Sequence, residues 1–462
     1  MTDRFDVAVL GGGPGGYAAA LFAAGAGKTV ALVEESGIGG TCLHRGCIPA
    51  KELLQSAEVL RTVRGAGAFG VEVGDPTLNL STSQERKSAV VARLTKGVAG
   101  LLDGRSVQVI TGRGTLSATN PYQINISDGT QIEGDAIILA PGSQPGELPG
   151  VVIDGERVWS SDHVLELTEV PKRVVIIGAG AIGVEFASML TDFGSSVTLL
   201  ESADRIIPAT DEDVSAALAR AFKKRKIAMQ TGVTVTSAVR AGEIVTVNYR
   251  DDTGEHQVEA DRVVVSVGRT PRTTDIGLAA AGVAVDARGY IVVDEAMRTS
   301  VSGIYAVGDV VATPQLAHVA FAEAMVAVEA ITGVDIHPVV YDRVPWGIYC
   351  HPEVAFAGLN EADARARGGD VVVQSQRFIG NARAQILGEA DGLVKVVAER
   401  GGAVLGVHMV GPWATELIAE GYLAVNFEAS LDDLSSLIHA HPTLSEVFGE
   451  TLLALTGRAL HA

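Results

Sequence analysis

The chain of 462 residues is poor in cysteine, with three. Three thiols cannot build the disulfide framework of a small secreted protein. Positive charge is also scarce: 36 Lys and Arg stand against 55 Asp and Glu, a formal net charge of −19. So acidic a surface argues against nucleic acid or an anionic membrane as the main partner. No apolar run of about 18 residues escapes charges or glycine breaks, so a membrane span is not expected. Residues 7–24 come nearest to a secretory signal. Their flank, Asp3-Arg4-Phe5-Asp6, is not basic and no cleavage-like boundary follows, so a cytoplasmic location is expected. The length suits about three domains. What the chain has in excess is glycine, 54 residues in clusters, which marks special turns rather than low complexity.

Residues 5–10 form a short apolar run followed at once by Gly11-Gly12-Gly13-Pro14-Gly15-Gly16. An alanine-rich helical stretch follows, then an apolar run at 29–33 closed by Glu34. Strand, glycine turn, helix, strand and acid together suit a dinucleotide. Gly11 makes the tight turn, Gly13 lets the backbone approach a pyrophosphate, and Gly16 lets the helix pack on the strand. The helix N-terminus offers N–H groups to the phosphates, and Glu34 is placed to accept from ribose hydroxyls.

The pattern recurs. A strand at 173–177 leads into Gly178-Ala179-Gly180-Ala181-Ile182-Gly183, a helix from Val184, and a strand at 197–200 closed by Glu201. Gly11 and Glu34 are 23 residues apart, as are Gly178 and Glu201, and the copies lie 167 residues apart. One GxGxxG is a weak signal, but two with equal internal spacing predict two dinucleotide-binding units of α/β class. A carboxylate at Glu201 would repel a 2′-phosphate, and no arginine follows before Arg205. The second site is therefore expected to take NAD rather than NADP.

Cys42 and Cys47 are five positions apart. In a regular helix they would face different ways, so a bridge between them needs distorted backbone, which Gly46 and Pro49 permit. So small a loop is a poor structural staple. A helix is expected from Glu52 to Arg64, and thiols near its N-terminus, beside Arg45 and Lys51, would be favoured as thiolates. Three readings stand: a redox-active dithiol, a zinc site using Cys42, His44 and Cys47 that lacks an evident fourth ligand, and two inert buried thiols. Cys350 reads as a small buried residue.

The run Gly39-Gly40-Thr41-Cys42-Leu43-His44-Arg45-Gly46-Cys47-Ile48-Pro49-Ala50-Lys51 resembles the redox motif of the pyridine nucleotide–disulfide oxidoreductases. The likeness extends from Phe5 to about Gly449. His44-Arg45 stand where the family more often has Asn-Val, which makes the surroundings of the thiols more basic. Residues 137–143, ending in Ala140-Pro141-Gly142-Ser143, resemble the segment closing the first flavin region, with Pro141 replacing the usual Thr. Residues 262–271 resemble the strand that returns from the NAD region. Gly303-Ile304-Tyr305-Ala306-Val307-Gly308-Asp309 resembles the second flavin motif, and His439-Ala440-His441-Pro442-Thr443-Leu444-Ser445-Glu446 the C-terminal signature.

The resemblance implies two Rossmann-like dinucleotide-binding domains plus a C-terminal α+β dimerisation domain. Residues 1–150 would form the first FAD-binding part, with an insertion at about 68–125. Residues 151–270 would bind NAD, 271–340 complete the flavin site, and 341–462 form the interface domain. It implies a Cys42–Cys47 redox disulfide with Cys47 nearer the flavin. Lys51 would pair with Glu185 beside flavin N5. His441 would be the acid–base, oriented by Glu446; His439 reads as filler. Cofactor contacts would come from Gly11, Gly13, Gly16, Glu34, Lys51, Gly114, Ser143, Gly178, Gly180, Gly183, Glu201, Val233, Gly268, Asp309, Leu316, Ala317 and His318. The cofactors implied are FAD and NAD, with no metal.

Within the family the chain is most similar to members serving 2-oxoacid dehydrogenase complexes. The implied reaction is oxidation of dihydrolipoyl groups on acyltransferase or glycine-cleavage carrier components, by a homodimer in which His441 acts on the other subunit's disulfide. A reductase of another low-molecular-weight disulfide, such as a mycothiol type, is the alternative. A docking subunit with little turnover is a third reading, against which the intact Cys42, Cys47, His441 and Glu446 set speaks.

Overall fold

Residues 7–10 of strand Asp3–Leu10 and 30–33 of strand Val30–Glu34 are unbroken runs of Val, Leu and Ala, the pattern of strands buried on both faces. In the computed structural model, which describes residues 3–117 and 122–461, they pair in parallel with Val7 opposite Val30. The chain divides into two compact units. The first comprises Met1–Leu53, Ser81–Gly146 and Arg269–Tyr341.

Its main sheet runs Gln108–Thr111, Val30–Glu34, Asp3–Leu10, Gln131–Leu139, with Ile304–Ala306 also parallel to the last of these. Gln123–Ile126 and Gly114–Leu116 extend it as an antiparallel ribbon. Helices Pro14–Gly25 and Ala317–Thr332 pack together, with the Tyr17 and Phe321 rings 5.7 Å apart. Val7, Val9, Leu32 and Ile138 meet Ala19 and Ala327 in one core. Each such buried valine or leucine stabilises by roughly 1.5–3 kcal/mol, so the turns at the strand ends stand on a firm base. Of the insertion expected at 68–125, residues 118–121 lie outside the described residues.

The second unit comprises Leu54–Leu80, Glu147–Gly268 and Asp342–Ala462. It holds a parallel sheet in the order Ala228–Gln230, Ser196–Leu200, Arg173–Ile177, Arg262–Val265, Val158–Trp159. The central order, third strand beside second beside first beside a later one, repeats that of the first unit. An antiparallel sheet of Trp346–Ile348, Glu353–Gly358, Val404–Gly411, Leu393–Glu399 and Val371–Arg377 carries helices Ala414–Asn426 and Glu446–Leu455. The expected α/β class with a C-terminal α+β part is therefore present. Among the described residues no helix is long and apolar enough to cross a membrane.

Candidate active site

The glycines of each turn divide by physical cause. Gly11 (φ +103°) and Gly178 (φ +98°) take backbone angles that favour glycine. A Cβ at Gly16 or Gly183 would lie within 2 Å of the carbonyl oxygen of Gly11 or Gly178, so helix and strand could not close on each other. Gly180 is different: its φ is −71° and a Cβ there would meet nothing within 4 Å. At Gly13, φ is −69° and the nearest atom would be 3.9 Å away. Neither is required by its own chain, which fits space kept open for a ligand approaching the backbone. Helices Pro14–Gly25, Ala181–Phe193 and Ala317–Thr332 are among those whose N-termini carry no side-chain cap, the last starting at Leu316 with Ala317 and His318 in its first turn. By contrast Asp211 and Asn360 cap theirs. Uncapped N–H groups at these three ends are ready to bind phosphate or another electron-rich group.

Both strand-closing acids hold their own turns. Glu34 accepts from the N–H groups of Gly12 (2.6 Å) and Ser36 (2.7 Å). Glu201 accepts from Ala179 N–H (2.6 Å) and Ala203 N–H (2.8 Å). In each, Oε2 accepts only the one turn N–H and keeps a lone pair with which to accept from a ribose hydroxyl, while Oε1 is occupied by its own loop. In the first unit a cavity at the strand ends is bounded by Gly11, Glu34, Gly114, Pro141, Gln144 and Arg272. Gly114 is small because a Cβ would strike Leu10 and Val33. In the second unit Val233 is buried and donates its N–H to Glu201 C=O (3.0 Å). Gly268, at φ +103°, faces open space. These features fit FAD at the first turn and NAD at the second.

The second flavin motif meets the first unit's other segments at Asp309. Ser143, 2% exposed, donates its hydroxyl to Asp309 Oδ2 at 2.5 Å. Arg269 Nε donates to Ser143 Oγ at 2.7 Å. The short antiparallel pair Ser143–Pro145 and Arg269–Pro271 brings them together. Behind Asp309 lies a residue the sequence reading missed. Glu323 is fully buried, and its carboxylate accepts from Gly308 N–H (2.6 Å) and Tyr341 OH (3.0 Å). Burial pushes this carboxyl up to about 7, against hydrogen bonds from Thr313, Gly308 and Tyr341. The signal was available: a lone carboxylate in an apolar helical run is costly unless partnered. Glu185 is itself buried and accepts Tyr349 N–H at 2.9 Å.

The two cysteines lie on either side of a helix break. Cys42 is in the short helix Gly40–Arg45, and Cys47 opens the helix Cys47–Gly65. The intervening Gly46 (φ −146°, ψ −114°) leaves helical space, and a Cβ there would press on Thr41 C=O at 3.0 Å. The break brings the sulfurs into hydrogen-bond contact. That hydrogen bond with Cys47, then burial, pushes the Cys42 thiol well above the usual thiol range, against the pull of the Lys51 ammonium. The expectation of favoured thiolates thus meets an opposing effect at Cys42, whose thiol is raised, while Cys47 opens a 19-residue helix. His44 Nε2 lies 2.8 Å from Ile38 C=O, so this ring nitrogen is already engaged within its own loop. Cys350 is buried and donates to Pro352 C=O (3.2 Å).

In the second unit, His441 Nδ1 lies 2.8 Å from Glu446 Oε1, with the imidazole 74% exposed. Burial acts to raise the Glu446 pKa, but Thr443 N–H (2.7 Å) and the His441 ring outweigh it and hold the carboxyl below its usual range. Glu446 opens helix Glu446–Leu455, and Asn381 Nδ2 fixes the approach by donating to Thr443 C=O (2.9 Å). His439 is more than filler. Its Nε2 lies 2.8 Å from Glu420 Oε1, and Gly449 makes room for the ring. Glu420 is 19 residues upstream on another helix, so no local pattern announced the pair.

Two nucleotide turns, a sulfur pair at a helix break and an exposed, carboxylate-backed imidazole define a flavin-linked disulfide chemistry. The family described as pyridine nucleotide-disulphide oxidoreductase matches residues 5–324. Its dimerisation domain matches residues 344–452. The chain belongs to this family. Dihydrolipoyl dehydrogenase of Bacillus subtilis is 41% identical over 474 residues, covering 100% of both chains. Dihydrolipoyl dehydrogenase of Zymomonas mobilis is 41% identical over 466 residues, again covering 100% of both. The crystal structure of LpdA from Mycobacterium tuberculosis superposes with a TM-score of 0.90 at 28% identity, covering 98% of this chain and 100% of that one.

Proposed function

We propose that this chain oxidises dihydrolipoyl groups to the cyclic disulfide and reduces NAD+, as a cytoplasmic homodimer serving 2-oxoacid dehydrogenase or glycine-cleavage carriers. The observation that carries the reading is the contact between the Cys42 and Cys47 sulfurs across the Gly46 break, in the unit that holds the first glycine turn. Full-length relatives bearing the dihydrolipoyl dehydrogenase name support it.

His441 takes the proton from one substrate thiol, and Glu446 stabilises the imidazolium so formed. The substrate thiolate attacks Cys42 of the oxidised pair. The Cys42–Cys47 bond breaks and Cys47 leaves as thiolate. The second substrate thiol, deprotonated in turn, displaces Cys42 and the cyclic disulfide departs. Two electrons and two protons now rest on the enzyme. Bound FAD and NAD+ would supply the two-electron oxidation that restores the Cys42–Cys47 bond, so that the net reaction forms NADH and releases one proton. Gly11, Gly13, Gly16, Glu34 and Gly114 would hold FAD at the first turn, together with Ser143, Asp309 and the Leu316–His318 helix end. Gly178, Gly180, Gly183, Glu201, Val233 and Gly268 would hold NAD. Lys51 and Glu185 serve the electron transfer. The 74% exposure of His441 fits a base that completes its site against a second copy.

Steady-state kinetics over a panel tests this: dihydrolipoamide with NAD+ and with NADP+, and low-molecular-weight disulfides with NADH and NADPH. Dihydrolipoamide with NAD+ should have the largest kcat/KM. A larger value for a mycothiol-type disulfide would replace the reading with the less favoured alternative.

A further inference from the structure

The second residue of each glycine turn is tied at both its N–H and its C=O. Gly12 donates to Glu34 (2.6 Å) and accepts from Gly39 N–H (2.8 Å). Ala179 donates to Glu201 (2.6 Å) and accepts from Ile207 N–H (2.8 Å). In the first copy the donor to the carbonyl is a glycine at φ +108°, a conformation that costs it little. In the second it is Ile207, 2% exposed and at φ +42°. A β-branched residue seldom occupies that region, so the surroundings must hold it there.

Those surroundings are dense. Thr210 donates both its N–H (3.0 Å) and its hydroxyl (2.9 Å) to Ile207 C=O, and Ser215 Oγ donates to Ile206 C=O (2.7 Å). The next residue, Asp211, is 2% exposed and caps helix Glu212–Lys224 through Asp213 N–H (3.0 Å). Asp211 Oδ1 also accepts from Lys395 Nζ at 2.8 Å. Lys395 is itself 2% exposed and reaches Asp213 (2.7 Å) and Glu361 (2.8 Å) as well. It stands on Leu393–Glu399, a strand of the C-terminal antiparallel sheet in the same unit, opposite the buried His408. A buried ammonium among three carboxylates is a poor way to gain stability, because desolvation offsets the attraction; fixing one geometry is its better use.

We propose that residues 202–211 form a strap that fixes the phosphate-facing turn of the NAD site, and that Lys395 is its anchor. Lys395 is thus a positioning residue for NAD, acting through Asp211 and Ile207 on Ala179. The inference rests on the reading of the second turn as the NAD site.

NADH binding to the FAD-loaded enzyme tests it. Lys395→Met removes the anchor. Asp211→Asn weakens it while keeping a residue that caps helices well. The NADH Kd should rise about tenfold in Lys395→Met and by a smaller factor in Asp211→Asn. KM for NAD+ should rise in step, while kcat at saturating NAD+ and FAD content stay near those of the parent. Should Lys395→Met fail to fold, Asp211→Asn decides. Parent-like NADH affinity in folded anchor variants would overturn the strap, as would a fall in kcat with KM unchanged. Failure of the parent holoenzyme to bind NADH would instead overturn the reading of the second turn, and the strap with it.

Discussion

Ser143 donates its hydroxyl to Asp309 Oδ2 over 2.5 Å, joining segments 166 residues apart in sequence. Arg269 Nε donates to the same hydroxyl oxygen, so the serine is fixed from one side and orients the carboxylate on the other. An aspartate held this way is pre-set to accept from a ligand hydroxyl. Ser143→Ala should cost about 1–3 kcal/mol of FAD binding, the range for a hydrogen bond to a charged group or a buried acceptor left unpaired. Titration of apoprotein with FAD should show roughly ten- to hundredfold weaker binding. Unchanged affinity would remove Asp309 from the flavin site.

Cys42→Ser should abolish dihydrolipoamide turnover while sparing part of the NADH-to-dye activity, because dye reduction needs no disulfide exchange. Paired assays on one preparation give the comparison. Equal loss of both activities would argue against Cys42 as the sulfur that meets substrate.

His441→Ala should lower dithiol turnover by about 10²–10⁴-fold, the usual contribution of a general base, and leave dye reduction much less affected. Glu446→Gln should reduce turnover less than His441→Ala, since the imidazole remains but loses its carboxylate partner. A His441→Ala enzyme with parental turnover would reject it as the base.

Glu323 gives a pH signature in stability. Its carboxyl is raised to about 7 from an ordinary 4.5, chiefly by burial. Between those values the folded protein binds the proton more tightly than the unfolded chain, so this group's contribution to stability falls as pH rises through the window and levels above about 7. The loss is on the order of 3 kcal/mol across the whole window. Denaturation of parent and Glu323→Gln from about pH 5.5 to about pH 8 should show the parent losing stability relative to the variant. Parallel curves would mean that Glu323 does not titrate there.

The two nucleotide units were legible because their glycines and acids recur at one spacing, and the first and last glycine of each turn answer to a local cause: positive φ at Gly11 and Gly178, close approach at Gly16 and Gly183. The sulfur pair was legible because Gly46 marks the break beside Cys47, while Pro49 sits in the first turn of the helix that follows. What escaped were partnerships between distant segments. Glu420 with His439, Glu323 with Gly308 and Tyr341, and Lys395 with Asp211 lie 19, 15, 18 and 184 positions apart. No periodicity links such residues; tertiary packing alone brings them together. The protonation state of Cys42 escaped for the same kind of reason. Nearby Lys51 and Arg45 suggested thiolates, but the neighbouring sulfur and burial outweigh the charge.

The central claim is that Cys42 and Cys47 pass electrons between a dithiol and FAD. Anaerobic titration of the FAD-loaded protein with dihydrolipoamide, followed by absorbance, tests it most directly. A long-wavelength band should grow in as the Cys47 thiolate forms against the oxidised flavin, and Cys47→Ser should lack it. A flavin that shows no such band in the parent, or shows it undiminished in Cys47→Ser, would contradict the account.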